Sequence, residues 1–358
     1  APLGAGPCAC ARPGARQASK YEIRLKLLIF SIMDVDKLLE DEQQFLALTS
    51  LYPSEFDELL RPFEARWRQF FKHRTLRRKR RGKPLTAIAL SKPTKKLPTI
   101  KDKLFFILYF FKNNHLQQSL AAQFDMNQGQ VSRWVKALLP VLEQSIKDLH
   151  LQPARDIDEL AGLFRSRQGN DEGPSAQGLH LDVTERPIER NHDGSAQKHD
   201  YSGKQAGHRL KNSVACDESQ YVHFAGLTYR GAFHDKAMAG EELPCLSALG
   251  ASGLWLSKDK AYQGYQPRGV HLLEPYKARR GQPLEPWQKE FNKWVNSIRI
   301  VCEHAISGIK RCRVVKEPLR YFDASFRDQV FNVACSLHNL RVSRRASYAR
   351  YAERVRAR

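Results

Sequence analysis

The sequence of 358 residues is short of several features that mark common protein classes. It has no stretch near the roughly 18–20 uninterrupted apolar residues that a membrane helix needs, the longest candidate being Leu25 to Met33. An integral membrane protein is therefore not expected. Its seven cysteines, Cys8, Cys10, Cys216, Cys245, Cys302, Cys312 and Cys335, form no C-x-x-C pair. An odd number over this length makes a poor disulfide framework, so they read as reduced thiols. The twelve histidines show no spacing suited to structural zinc. Acid is also scarce, with none before Glu22, and 38 Asp and Glu face 59 Lys and Arg for a net charge of +21. Such an excess calls for a polyanionic partner. With 42% hydrophobic residues the chain still has enough apolar material for real cores, which excludes disorder throughout.

Residues 1–32 are rich in Ala, Gly, Pro and Arg early on and lack clean amphipathic spacing. They read as a disordered or non-native extension ahead of Met33, with a transit peptide as the competing reading. Residues 33–72 are expected to form two or three short helices from the spacing of Leu38, Leu39, Phe45, Leu46, Leu51, Phe56, Leu59, Leu60, Phe63 and Trp67. Residues 73–97 follow as a basic linker. Its cations Arg74, Arg77, Arg78, Lys79, Arg80, Arg81 and Lys83 suit sequence-independent contact with phosphates.

Residues 98–150 read as three helices, near 100–112, 116–124 and 128–146. Ala121, Asp125 and Val131 have helix-turn-helix spacing: a small residue for close approach, a turn residue that tolerates the left-handed conformation, and a β-branched residue packing the third helix back. Val131, Trp134, Val135 and Leu138 then face inward. Gln128, Gln130, Ser132, Arg133 and Lys136 are left for a DNA major groove. A plain three-helix core is the alternative on spacing alone, and the charge of the chain favours DNA.

After a connector at 151–178 the pattern turns strand-like. Strands are expected at Leu179–Ile188, Leu210–Cys216 and Gln220–Tyr229, a helix near Lys236–Leu249, strands at Gly253–Tyr262 and Val270–Tyr276, and a long helix from Pro286 to Cys312. The fold class is α+β or α/β: a mixed five-stranded sheet with flanking helices, preceded by an all-α helix-turn-helix domain. Asp182 falls on the first, central strand, Asp259 at the end of the fourth, and Glu303 on the long helix. Three carboxylates meeting there suit Mg²⁺ or Mn²⁺, and two such ions can activate water or a 3′-hydroxyl in phosphodiester transfer. On the long helix Arg299, Glu303 and Lys310 form a charged row beside the apolar stripe of Ile298, Cys302, Ala305 and Ile309. The cations of that row suit DNA phosphates.

These segments resemble the catalytic domain of DDE transposases of bacterial insertion sequences, close to the insertion-sequence-five family and its Harbinger-like relatives. The likeness is carried by "DVTERPI" with Asp182, "YSGKQAGHRLK" with Lys204, "GAFHDKAM" with Asp235, "KDKAYQGY" with Asp259, and "RIVCEHAISGIK" with Arg299, Glu303 and Lys310. The helical segment upstream is similar to the family's helix-turn-helix. In the wider superfamily Tyr precedes the Arg by three positions, and Asn296 stands there in this sequence.

The resemblance implies an RNase H-like domain over 179–342, followed by a basic tail at 343–358. It implies catalytic Asp182, Asp259 and Glu303 holding two Mg²⁺ or Mn²⁺ ions, and Lys204 among the DNA contacts. The partners it implies are terminal inverted repeats and target DNA, bound by a homodimer or larger assembly in the bacterial cytoplasm, on the nucleoid, with no small-molecule substrate. Asp235 has two expected roles, a helix cap on chemistry alone and a fourth metal ligand by resemblance. A domesticated DNA-binding protein without strand transfer is the alternative function.

Overall fold

A computed structural model describes residues 34–80, 96–169, 178–249 and 254–344. The expectations for residues 1–32 and for the tail from 345 onward lie outside the described residues. So do those for Arg81, Lys83 and the linker to residue 95, and for 170–177 of the connector.

The N-terminal half is helical: α1 Val35–Glu40, α2 Glu42–Thr49, α3 Pro53–Arg80, α4 Ile100–Asn113, α5 Gln117–Gln123 and α6 Gln128–Asp148. Pro53 is the first residue of α3, where a missing N–H costs nothing. That helix then runs 28 residues and carries Arg77, Arg78, Lys79 and Arg80, so this part of the expected linker is helix. Arg and Lys are good helix formers, and the N-terminal part of α3 is anchored by buried Phe56, Leu59, Phe63 and Trp67.

The helix-turn-helix forms where expected. Thr99 and Asp102 cap α4 reciprocally, and Asn127 and Gln130 do the same for α6. Asp125 takes the left-handed turn conformation with φ +48°, and its carboxylate meets Lys96. Val131, Val135 and Leu138 are buried. Trp134 is half-buried, its ring 5.9 Å from that of Trp67.

The described part of the connector carries regular structure. Ala154 bridges to Phe224, and helix α7 Ile157–Gly169 places Leu160, Ala161 and Phe164 in a core with Leu179, Leu181 and Phe224. Its periodic apolar positions lie in a run too polar on average to stand out in the sequence.

The sheet contains β1 Gly178–Pro187, β2 Tyr201–Ser202, β3 Gly207–Cys216, β4 Val222–Ala225, β5 Tyr229–Arg230, β6 Trp255–Lys258 and β7 His271–Leu273. Its five main strands run β4-β3-β1-β6-β7, with two-residue β2 and β5 added to β3. β1 is antiparallel to β3 and parallel to β6, and β6 is parallel to β7. This is the mixed sheet of an RNase H-like fold, with β1 at its centre.

Helix α8 Gly194–Asp200 precedes β2, and α9 Asp235–Glu242 follows β5. α9 is shorter than expected because Pro244 disfavours helix at the residue before it. The strand expected at 220–229 is split into β4 and β5. An added Cβ at the intervening Gly226 would lie 2.2 Å from the Glu242 carboxylate.

The long helix α10 Pro286–Ile309 packs on the sheet through Cys302, Ala305 and Ile309. It ends three residues earlier than expected, with Lys310 at its C-cap. Helices α11 Arg313–Lys316 and α12 Ala324–Ser343 complete the chain, and α12 is buried along most of its length.

The two halves share one core, which includes Phe110, Leu138, Leu142, Val330 and Phe331. Across their junction Gln329 and Asn332 donate to the Glu143 carboxylate, and the ring of Phe110 lies 6.1 Å from that of Tyr321. The C-terminal half of α6 is thus seated on α12, which orients the N-terminal half.

Candidate active site

The site begins with strand register. Leu181 of β1 lies opposite Lys258 of the parallel strand β6, so the next residues, Asp182 and Asp259, come side by side where β6 ends. The carboxyl ends of strands in open sheets are where ligands commonly bind.

Each aspartate is oriented by backbone. Val183 N–H donates to Asp182 Oδ1 at 2.8 Å. Lys260 N–H donates to Asp259 Oδ1 at 2.6 Å, as Asp259 caps the short turn Lys260–Tyr262. Burial raises the Asp182 carboxyl above the ordinary carboxylate range; the Val183 N–H and the Arg299 charge oppose this, and the Asp259 charge adds to it.

Helix α10 crosses this pair and supplies the intervening cation. The Arg299 side chain, 9% exposed, reaches Asp182 Oδ2 at 3.6 Å with one terminal nitrogen and Asp259 Oδ1 at 3.7 Å with the other. Cys302, three residues on, lies with its Sγ 3.9 Å from the Val214 carbonyl of β3, which fixes the rotation of the helix over the sheet.

Glu303 is exposed, four residues beyond Arg299. Among the described residues no group of three or more His, Cys, Asp and Glu side chains stands ready to hold a metal ion. The three acids expected to converge are therefore brought together only as far as Asp182 and Asp259, with a guanidinium between them. The donor set nevertheless fits a divalent cation: its atoms are hard carboxylate oxygens, and the aspartate pair already accommodates positive charge.

The remaining cations flank this centre. Lys310 is half-buried, and burial lowers its ammonium below the ordinary range, helped by Arg209 and opposed by Glu185 and Asp182. Lys204 stands in the exposed turn between β2 and β3, close enough to act on the Asp182 charge.

Of its two expected roles, Asp235 does not fill that of the helix cap. His234 takes that position, its Nδ1 accepting from Lys236 N–H at 3.2 Å, and Asp235 is the first helical residue of α9. Its carboxylate receives Lys211 Nζ at 2.9 Å, with Glu185 Oε1 at 3.9 Å from the same ammonium. Sequence reading passed over Lys211 and Glu185. They are cross-strand partners in the β1–β3 register, a signal visible only once the strands are paired.

On the helix-turn-helix Gln128, Arg133 and Lys136 are exposed as expected. Gln130 and Ser132 are half-buried: the Gln130 carboxamide oxygen accepts the Asn127 N–H, and Ser132 lies beside the Tyr321 phenol. These two side chains are less free to read bases than their spacing suggested. No described helix is long and apolar enough to cross a membrane.

Two family models match the chain. Residues 181–339 match the family described as DDE superfamily endonuclease, and residues 95–148 match the helix-turn-helix of DDE superfamily endonuclease. The "Probable transposase for insertion sequence element IS702" of Microchaete diplosiphon is 25% identical over 224 residues, covering 62% of this chain and 73% of that relative. No solved structure matches.

Proposed function

We propose that the chain is a DDE transposase of an insertion sequence, which binds the terminal inverted repeats of a mobile element, cleaves DNA at the element ends and joins the freed 3′-hydroxyls to target DNA. The observation that carries the reading is the side-by-side placement of Asp182 and Asp259 at adjacent parallel strands, under the helix that bears Arg299 and Glu303.

Asp182, Asp259 and Glu303 would hold Mg²⁺ or Mn²⁺, which when bound supplies activation of water or a 3′-hydroxyl and stabilises the leaving oxygen in phosphodiester transfer. Arg299 has a planar fork that matches phosphate as well as carboxylate, so it can hold the scissile strand beside the aspartates. Lys310 and Lys204 add positive charge around the same point. Asp235, ion-paired to Lys211, braces the start of α9 against β3 and serves as a positioning residue.

Gln128, Arg133 and Lys136 read the repeat from the major groove, with Gln130 and Ser132 contributing less. The cations of α3 and the adjoining run hold phosphates. Because α6 is seated on α12, groove reading and strand chemistry are mechanically linked within one chain, and pairing of two ends calls for a dimer or larger assembly on DNA. The site of action is wherever the element's DNA lies, the nucleoid of a bacterial cytoplasm in this reading.

Incubation with DNA carrying the repeats that flank the gene, with Mg²⁺ or Mn²⁺, tests the proposal. Strand cleavage at the repeat ends is the expected result. Binding without cleavage supports instead a DNA-binding protein that retains only the architecture.

A further inference from the structure

One continuous segment, 310–322, connects the aspartate pair with the groove-reading helix. It leaves α10 at Lys310, whose ammonium feels the Glu185 and Asp182 charges. At its far end the Tyr321 phenol lies beside Ser132 of α6 and Gln117 of α5. In between, the Pro318 carbonyl accepts from Asn114 Nδ2 at 3.3 Å. Burial and charge alternate along the way. Cys312, Val314, Val315, Leu319 and Tyr321 are buried and pin the backbone to the core. Every exposed position from 311 to 320 is a cation: Arg311, Arg313, Lys316 and Arg320.

The acids of this stretch do not answer them all. Glu317 is paired with Arg313, whose Nε donates to it at 2.6 Å, and Asp323 caps α12, accepting the Phe326 N–H at 2.7 Å. Arg311, Lys316 and Arg320 have no carboxylate partner among the described residues. At the end of the row stands Phe322, 74% exposed. A single exposed ring is ordinary. This one is held in place, between buried Tyr321 and the cap residue Asp323. The Arg327 guanidinium lies over its ring at 5.6 Å, anchored by Nε donating to the Tyr321 carbonyl at 2.5 Å.

We propose that segment 310–322 is a surface for duplex DNA, which it carries from α6 to the aspartate pair and bends on the way. Arg311, Lys316 and Arg320 hold phosphates, and Phe322 is a wedge that enters the minor groove beside the major groove read by α6. The occupant is a duplex because a one-signed row of cations on a fixed backbone matches the dense, regular charge of DNA. An apolar wedge placed among such cations unstacks a base step and kinks the helix by about 20–90°. The inference rests on the transposase reading and extends it: the end that is read is turned toward the site that cuts it.

The test uses the full chain without added divalent metal and a mixed-sequence duplex with a donor and an acceptor dye at its two ends. Binding of the unaltered chain is expected to raise energy transfer, as bending brings the ends together. Phe322→Ala should bind with the same salt slope and lose most of that rise. The triple variant Arg311→Gln, Lys316→Gln and Arg320→Gln should lower the slope by about 2–3, at about 0.9 per phosphate contact. All four side chains are exposed, so melting temperatures should not change. An unchanged slope in the triple variant would overturn the phosphate contacts, and a full rise in energy transfer with Phe322→Ala would overturn the wedge. Nicking with Mn²⁺ of DNA carrying the flanking repeats, on the same preparation, separates the two readings. Nicking with slope and bend both indifferent to these variants removes only the proposed surface. Loss of slope and bend in the variants, with no nicking by the unaltered chain, supports the surface and removes only the strand chemistry.

Discussion

The Arg299 guanidinium stands 3.6 Å from the Asp182 carboxylate on the buried side of the site, and the same group closes on Asp259 at 3.7 Å. A cation between two carboxylates relieves their repulsion, and it also occupies space that a metal ion would share. Arg299→Gln should therefore bind Mn²⁺ about fivefold more tightly in titration calorimetry, equivalent to about 1 kcal/mol for an ion pair that is partly solvated. Its melting temperature without metal should fall, and so should cleavage, because the phosphate fork is lost. Unchanged or weaker Mn²⁺ binding would show that Arg299 does not compete for the site.

The acids should separate by role. Asp182→Asn, Asp259→Asn and Glu303→Gln are each expected to abolish cleavage while leaving binding to the repeat ends nearly intact. Asp235→Asn should keep part of the activity with a raised Mg²⁺ requirement. It should also lower stability by about 2 kcal/mol, the scale of a lost hydrogen bond to a charged group, since the Lys211 ammonium loses its closest carboxylate. Cleavage over a Mg²⁺ titration, paired with thermal melts, tests both halves. Full activity in Asp259→Asn with none in Asp235→Asn would reverse the assignment.

Specificity and affinity should be separable on the helical half. Arg133→Ala should reduce preference for the cognate end by about 1–3 kcal/mol, as expected of a side chain that contacts base edges. Changing Arg77, Arg78, Lys79 and Arg80 to Gln should weaken cognate and random DNA alike and reduce the salt slope by up to about 3–4. Binding curves at several salt concentrations check this. Equal loss on both DNAs for Arg133→Ala would remove it from sequence reading.

Glu242 makes stability depend on pH. Burial raises its carboxyl from 4.5 to about 7, while one oxygen accepts Leu227 N–H at 2.7 Å. The folded state thus binds this proton more tightly than the unfolded chain. The stabilisation is complete below pH 4.5 and is lost as pH rises through 7, by up to about 3 kcal/mol. Glu242→Gln keeps an acceptor for Leu227 and does not titrate. Relative to this variant the wild type should lose melting temperature between pH 4.5 and 7, with a constant gap above. A pH-independent difference would show that Glu242 does not carry the effect.

The helix-turn-helix was legible because its determinants are local. Thr99 with Asp102 and Asn127 with Gln130 cap their helices from three residues away, Asp125 tolerates the left-handed turn by its own chemistry, and Val131, Val135 and Leu138 mark one face by their period. Asp182, Asp259 and Glu303 could also be singled out, since each sits in a segment with its own motif. What each charge meets was decided by tertiary structure. Arg299 reads as one member of a surface row until α10 is laid across β1 and β6, and Asp235 reads as a cap until β3 brings Lys211 to it. The connector's α7 likewise declares itself only where Leu160 and Phe164 meet Leu179 and Phe224. Periodicity reports which face of an element is apolar, but the partner of a charge comes from strand register and helix docking between distant segments, and those are set by the packing of the whole chain.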